Sequence, residues 1–136
     1  PDWPFNRTAH PTRHVIVCED NLDAQSAFAA CFSRVFGPDS GVQVSFVPGA
    51  AQAISLLAQS YTQPCHLLIL DHDMPWGNGQ HVAHYARTML PTLPIWTASG
   101  IPANNTALQV AGASEVYDKQ AYFSGALDGR LREILA

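Results

Sequence analysis

The sequence predicts an α/β domain: a doubly wound, five-stranded parallel sheet with helices on both faces. Two observations carry this. Five β-like runs alternate with five helix-like ones along 136 residues, the order expected when each parallel strand is followed by a crossover helix. The runs His14-Val15-Ile16-Val17-Cys18 and His66-Leu67-Leu68-Ile69-Leu70 are also almost wholly apolar, and each ends in acid, at Glu19-Asp20 and at Asp71. Strands buried on both faces read as continuous apolar runs. Ligands of open α/β sheets bind beyond the carboxyl ends of such strands.

The elements follow in order. The first strand is Arg13–Cys18. Residues 23–36 carry Phe28, Phe32 and Val35 at helical spacing and stop at Gly37-Pro38. The second strand is Val42–Val47, and residues 48–59, with Ile54, Leu57 and Ala58, return as a helix. Residues 66–70 form the third strand and 80–90 a helix halted by Pro91. Ile95–Thr97 is the fourth strand, kept short by Pro94, which offers no amide donor. A helix at 103–111 stops at Gly112, residues 115–117 are the fifth strand, and a helix over 121–135 closes the chain.

Composition narrows the function. The length suits one domain. Hydrophobic residues make up 47% and charged residues 13%, yet no apolar stretch approaches the roughly 20 residues of a membrane span. A net charge of −4, with seven scattered Lys and Arg, gives no nucleic-acid footprint and makes a metal cation the better partner. Cys18, Cys31 and Cys65 fall in core or strand-edge positions, which reads as free thiols in a reducing, cytoplasmic setting. Residues 1–12 hold three prolines and no period. They suit an arm or linker, with residues 13–136 as the domain.

Four of the five strands end in a group able to handle a phosphoryl or a metal: Glu19-Asp20, Asp71, Thr97 and Lys119. With Val15-Ile16-Val17-Cys18-Glu19-Asp20-Asn21, Leu68-Ile69-Leu70-Asp71-His72-Asp73-Met74-Pro75, Gly79, Thr97-Ala98 and Gly112-Ala113-Ser114-Glu115, the chain resembles the receiver domain of two-component response regulators over residues 13–136. The resemblance implies a flavodoxin-like strand order 2-1-3-4-5. It implies Mg²⁺ held by Glu19, Asp20, Asp71 and the main-chain carbonyl of Asp73, because crowded carboxylates favour a hard cation with oxygen ligands. Asp71 is then the phosphoacceptor, forming an aspartyl-phosphate, with Thr97 and Lys119 meeting the charge on the transferred oxygens. The partners implied are a histidine kinase or phosphotransfer protein and an output domain or larger hybrid chain, with no nucleic acid or membrane bound directly. Such a domain is a signalling module that catalyses only its own modification, not an enzyme with turnover.

Several residues depart from the family pattern. Val116 stands where an aromatic is usual, and its neighbour Tyr117 faces the other way. Gln120 follows Lys119 where a proline with a cis bond is usual. With no aromatic switch at 116, readout is expected through Thr97 and the loop Ser99-Gly100-Ile101-Pro102. His72, His81 and His84 read as bystanders, and Trp96, Tyr122 and Phe123 as core or sheet cover. Two rivals stand beside the main reading. One is a receiver-shaped interaction module that is never phosphorylated; the other is a phosphatase of the haloacid dehalogenase type, suggested by Asp71-His72-Asp73.

Overall fold

In a computed structural model, residues 12–72, 74 and 78–136 are described. Residues 1–11 of the expected arm, and Asp73 with its expected metal contact, lie outside them. The elements are β1 Arg13–Cys18, α1 Leu22–Val35, β2 Val42–Val47, α2 Ala50–Leu57, β3 Leu67–Leu70, α3 Gly79–Met89, β4 Ile95–Thr97, α4 Pro102–Ala111, α5 Lys119–Phe123 and α6 Asp128–Ile134.

The described sheet is parallel, in the order β2-β1-β3-β4. β3, β4 and residues 15–18 of β1 are buried on both faces, in line with their largely apolar sequences. Alternate residues feed two core layers. Ile16, Cys18, Leu68, Leu70 and Ile95 pack with α2, α3 and α4 on one side. Val15, Val17, Leu67, Ile69 and Trp96 pack with α1, α5 and α6 on the other. Trp96, Tyr122 and Phe28 are fully buried there, and Tyr122 meets Phe28 edge-on at 5.2 Å.

Two expectations are corrected. The fifth strand at 115–117 is a single parallel bridge, Trp96 to Glu115. Its ladder stops because the Thr97 hydroxyl takes both backbone groups of Tyr117, donating to the carbonyl at 3.1 Å and accepting from the N–H at 2.7 Å. Among the described residues the sheet thus has four strands. The closing helix over 121–135 is two helices, α5 and α6. Gly125, at φ 92°, breaks it, a left-handed conformation that costs glycine little. Arg34 spans the break, binding both Asp128 carboxylate oxygens at 2.9 Å and the Tyr122 carbonyl at 3.3 Å. Other boundaries move by one or two residues: His66 falls just outside β3, although its N–H still reaches the His14 carbonyl at 2.8 Å.

Cys18 and Cys31 are buried, Cys65 is half-buried, and all three are free thiols. Among the described residues no helix is long and apolar enough to cross a membrane.

Candidate functional site

Carboxyl ends of parallel strands gather at one rim of a sheet, and here they gather the acids. β1 delivers Glu19, whose N–H continues the ladder to the Val47 carbonyl at 3.0 Å. The chain then turns into α1. Asn21 caps that helix by accepting from the Ala24 N–H at 2.9 Å, and its own N–H donates to Glu19 Oε1 at 3.1 Å. Gln25 anchors the turn, donating to the Glu19 carbonyl at 2.7 Å. Glu19 is thereby buried and fixed, while Asp20 is exposed.

β3 delivers Asp71 in the same way, with its N–H bonded to the Cys18 carbonyl at 3.1 Å. Asp71 Oδ1 accepts from the His72 N–H at 2.8 Å. The start of α3 presses on this turn: the Gly79 N–H donates to the His72 carbonyl at 2.8 Å. A Cβ on Gly79 would collide with the Asp71 carbonyl oxygen and lie 2.9 Å from Leu108. Glycine is the residue that permits this approach.

Lys119 opens α5, whose N-cap is Asp118. Its Nζ lies 2.8 Å from Glu19 Oε2 and 3.4 Å from Asp71 Oδ2. Burial raises the Asp71 pKa above the usual carboxylate range; Lys119 opposes this and the Glu19 charge adds to it. Burial alone would lower the Lys119 ammonium, but the Glu19 carboxylate and the Asp71 charge outweigh it and raise its pKa.

Carboxylate oxygens of Glu19, Asp20 and Asp71 lie within 4.8 Å of one another. Glu19 Oε2 is buried, and its partner there is the Lys119 ammonium at 2.8 Å. Two buried acids and one exposed acid against a single ammonium leave negative charge and free oxygen lone pairs facing the rim. That donor set suits a hard divalent cation that keeps some of its waters.

Thr97 ends β4 opposite Leu70, one residue from Asp71. It is fully buried, and its hydroxyl is turned to the Tyr117 backbone. The structure therefore brings Asp71, Glu19, Asp20 and Lys119 together and holds Thr97 beside them with its hydroxyl otherwise engaged. His81 and His84 are exposed on α3, and His81 Nδ1 accepts the Asn78 N–H at 3.3 Å in the capping box of that helix.

Two supporting groups were not legible as such in the sequence. Asn105, buried in α4, brackets the loop after β4 by accepting from the Ser99 N–H at 3.2 Å and donating to the Ser99 carbonyl at 3.0 Å. The Tyr122 hydroxyl donates to the Thr97 carbonyl at 2.7 Å. An asparagine within an uncharged helix was the one available signal for the first.

No family model matches the sequence, and no curated protein matches it. Solved structures do match. The phosphorylated cyanobacterial phytochrome response regulator RcpA aligns with a TM-score of 0.74 at 16% identity, over 92% of this chain and 94% of that one. The fold is that of a receiver domain. A receiver domain from a Pseudomonas aeruginosa sensor histidine kinase, with magnesium in its active-site cleft, aligns with a TM-score of 0.71 at 18% identity, over 92% of this chain and 95% of that one. The Salmonella typhimurium response regulator RcsB aligns with a TM-score of 0.67 at 18% identity, over 90% of this chain. This receiver fold spans 60% of RcsB's length.

Proposed function

We propose that residues 13–136 are a phosphoacceptor receiver domain of a two-component signalling protein, accepting a phosphoryl group from a phosphohistidine onto Asp71. The observation that carries this reading is one ammonium, Lys119 Nζ, at 2.8 Å from Glu19 and 3.4 Å from Asp71, with Asp20 completing a three-acid rim within 4.8 Å. In the transfer an Asp71 carboxylate oxygen attacks phosphorus and the donor's N–P bond breaks, the nitrogen keeping the electron pair. Lys119 neutralises charge on the equatorial oxygens, and a preformed ammonium does so without reorganisation. Glu19 and Asp20, with Asp71, would hold Mg²⁺, which when bound supplies the charge neutralisation that lets an anionic donor approach anionic side chains. Thr97 would reach a phosphoryl oxygen after giving up Tyr117.

The partners that fit are a histidine kinase or a histidine phosphotransfer protein. The arm at residues 1–12 would join the domain to an output domain or larger hybrid chain. The alternative of an unphosphorylated interaction module draws on the engagement of Thr97 with Tyr117.

Incubation with Mg²⁺ and a small phosphodonor separates the readings. One phosphate per chain by intact mass, absent in Asp71→Asn, is the expected result. No uptake would identify an interaction module, and steady release of phosphate from an ester would identify a phosphatase.

A further inference from the structure

The Thr97 hydroxyl holds the Tyr117 backbone, and a second set of bonds holds the same residue by its ring. The Tyr117 phenol donates to Glu115 Oε1 at 2.5 Å. Glu115 is itself fixed twice. Its backbone is tied to β4, the N–H reaching the Ile95 carbonyl at 3.2 Å and the carbonyl accepting the Thr97 N–H at 3.0 Å. Its carboxylate takes a two-pronged grip from Arg130 on α6, with Nε at 3.1 Å from Oε1 and Nη2 at 2.7 Å from Oε2. Paired charge-assisted bonds of this kind are strong and directional. The guanidinium lies 5.5 Å from the centre of the Trp96 ring, within reach of a cation–π contact, and Trp96 meets the Tyr117 ring edge-on at 5.2 Å. Burial would raise the Glu115 pKa, but the bonds from Tyr117 and Arg130 outweigh it and lower it, so the carboxylate stays ionised at neutral pH.

We propose that Glu115 and Arg130 are positioning residues that latch Tyr117, and through it hold Thr97 turned away from a phosphoryl group on Asp71. This rests on the reading of Asp71 as the phosphoacceptor. A hydroxyl has one hydrogen to donate, and that of Thr97 is spent on the Tyr117 carbonyl. It serves a phosphoryl oxygen only when that bond is given up. Tyr117 then has two backbone groups to satisfy elsewhere, and the cost of leaving them unmade favours moving the residue. The latch opposes this movement at the ring. Arg130 has Glu133 at 3.3 Å as a second partner one turn along α6, so the guanidinium keeps a carboxylate when the latch opens. Opening the latch and binding a phosphoryl group then favour one another by the same factor.

The test measures, on the full 136-residue chain, the affinity for beryllofluoride, a phosphoryl mimic, in the presence of Mg²⁺, by NMR titration of the backbone amides. Tyr117→Phe keeps the ring and removes its bond to Glu115; Arg130→Lys keeps the charge and removes the two-pronged grip. Each should bind the mimic about 5-fold tighter than the parent or more, the lower end of common coupling. Loss of a merely structural contact would weaken binding instead. In a Thr97→Ala background the same two changes should leave the affinity unaltered, because the latch acts through that hydroxyl. A parent chain that takes up one phosphate by intact mass, with no gain in affinity in either variant, or with an equal gain when Thr97 is absent, would overturn the latch and leave the receiver reading standing. A parent that takes up neither phosphate nor mimic would overturn both.

Discussion

The Thr97 hydroxyl holds Tyr117 by both backbone groups, accepting from its N–H at 2.7 Å and donating to its carbonyl at 3.1 Å. One buried side chain thus replaces two rungs of a strand ladder. Movement of Thr97 toward a phosphoryl group on Asp71 must release both bonds at once. Tyr117 should feel that movement first.

Thr97→Val keeps the shape and removes the hydroxyl, leaving both Tyr117 groups unpaired. Stability should fall by about 1–3 kcal/mol, the cost of unsatisfied buried polar groups, read as a lower urea midpoint at unchanged slope. Thr97→Ser, which keeps the hydroxyl, should lose less. In the parent chain a phosphoryl mimic should shift the Tyr117 amide at least as far as those of Ser99 to Pro102; a silent Tyr117 would return readout to the loop alone.

Asp71 gives a pH-dependent prediction. Its folded-state pKa is raised by burial, so its protonated form is favoured by folding, and its stabilising contribution is present below the ordinary carboxylate value. That contribution is lost as pH rises through the raised value. At pH 7 Asp71→Asn should therefore be more stable than the parent, with the difference shrinking in acid. Thermal unfolding of both chains across the acid range checks this, and a gain that persists undiminished in acid would contradict it.

Gly79→Ala places a methyl against the Asp71 carbonyl and Leu108. Overpacking of this kind costs about 1–3 kcal/mol. Because the displaced atom belongs to the proposed acceptor's own backbone, phosphoryl uptake should slow as well. Gly37→Ala is the control, since a Cβ there meets nothing within 4 Å; it should leave both uptake and stability close to the parent's.

At the opposite end of the sheet, His66 Nδ1 accepts the His14 backbone N–H at 2.9 Å. Burial, and the Arg13 charge after it, lower the His66 pKa. Its stabilising contribution is present above the ordinary histidine value and lost as pH falls through the lowered one, because a protonated Nδ1 cannot accept. His66→Asn offers an oxygen in place of Nδ1 and should flatten this part of the acid unfolding curve. A curve identical to the parent's would remove His66 as a source of acid sensitivity.

The sequence made β1 and β3 legible because strands buried on both faces need unbroken apolar runs, and it made the rim legible because acids terminate those runs. The break between α5 and α6 was hidden for a physical reason. Tyr122, Leu127, Leu131 and Leu135 keep facing the same core layer across it, so the apolar period continues while Gly125 turns the backbone. The missing fifth strand was hidden because residues 115–117 alternate between half-buried and exposed as a strand would. What ends their pairing is a hydroxyl 20 positions away in sequence. Asn105 resisted reading on the same ground, its partners being backbone atoms of a loop.

Lys119 is the first residue of α5 and also the ammonium between Glu19 and Asp71. Whatever displaces that helix carries the cation with it. A protein that grips α5 in one position would therefore alter how strongly the rim holds an ion, and an ion at the rim would alter the grip by the same factor, as thermodynamic linkage requires. A five-residue helix thus ties the chemistry of the rim to the surface that helix presents.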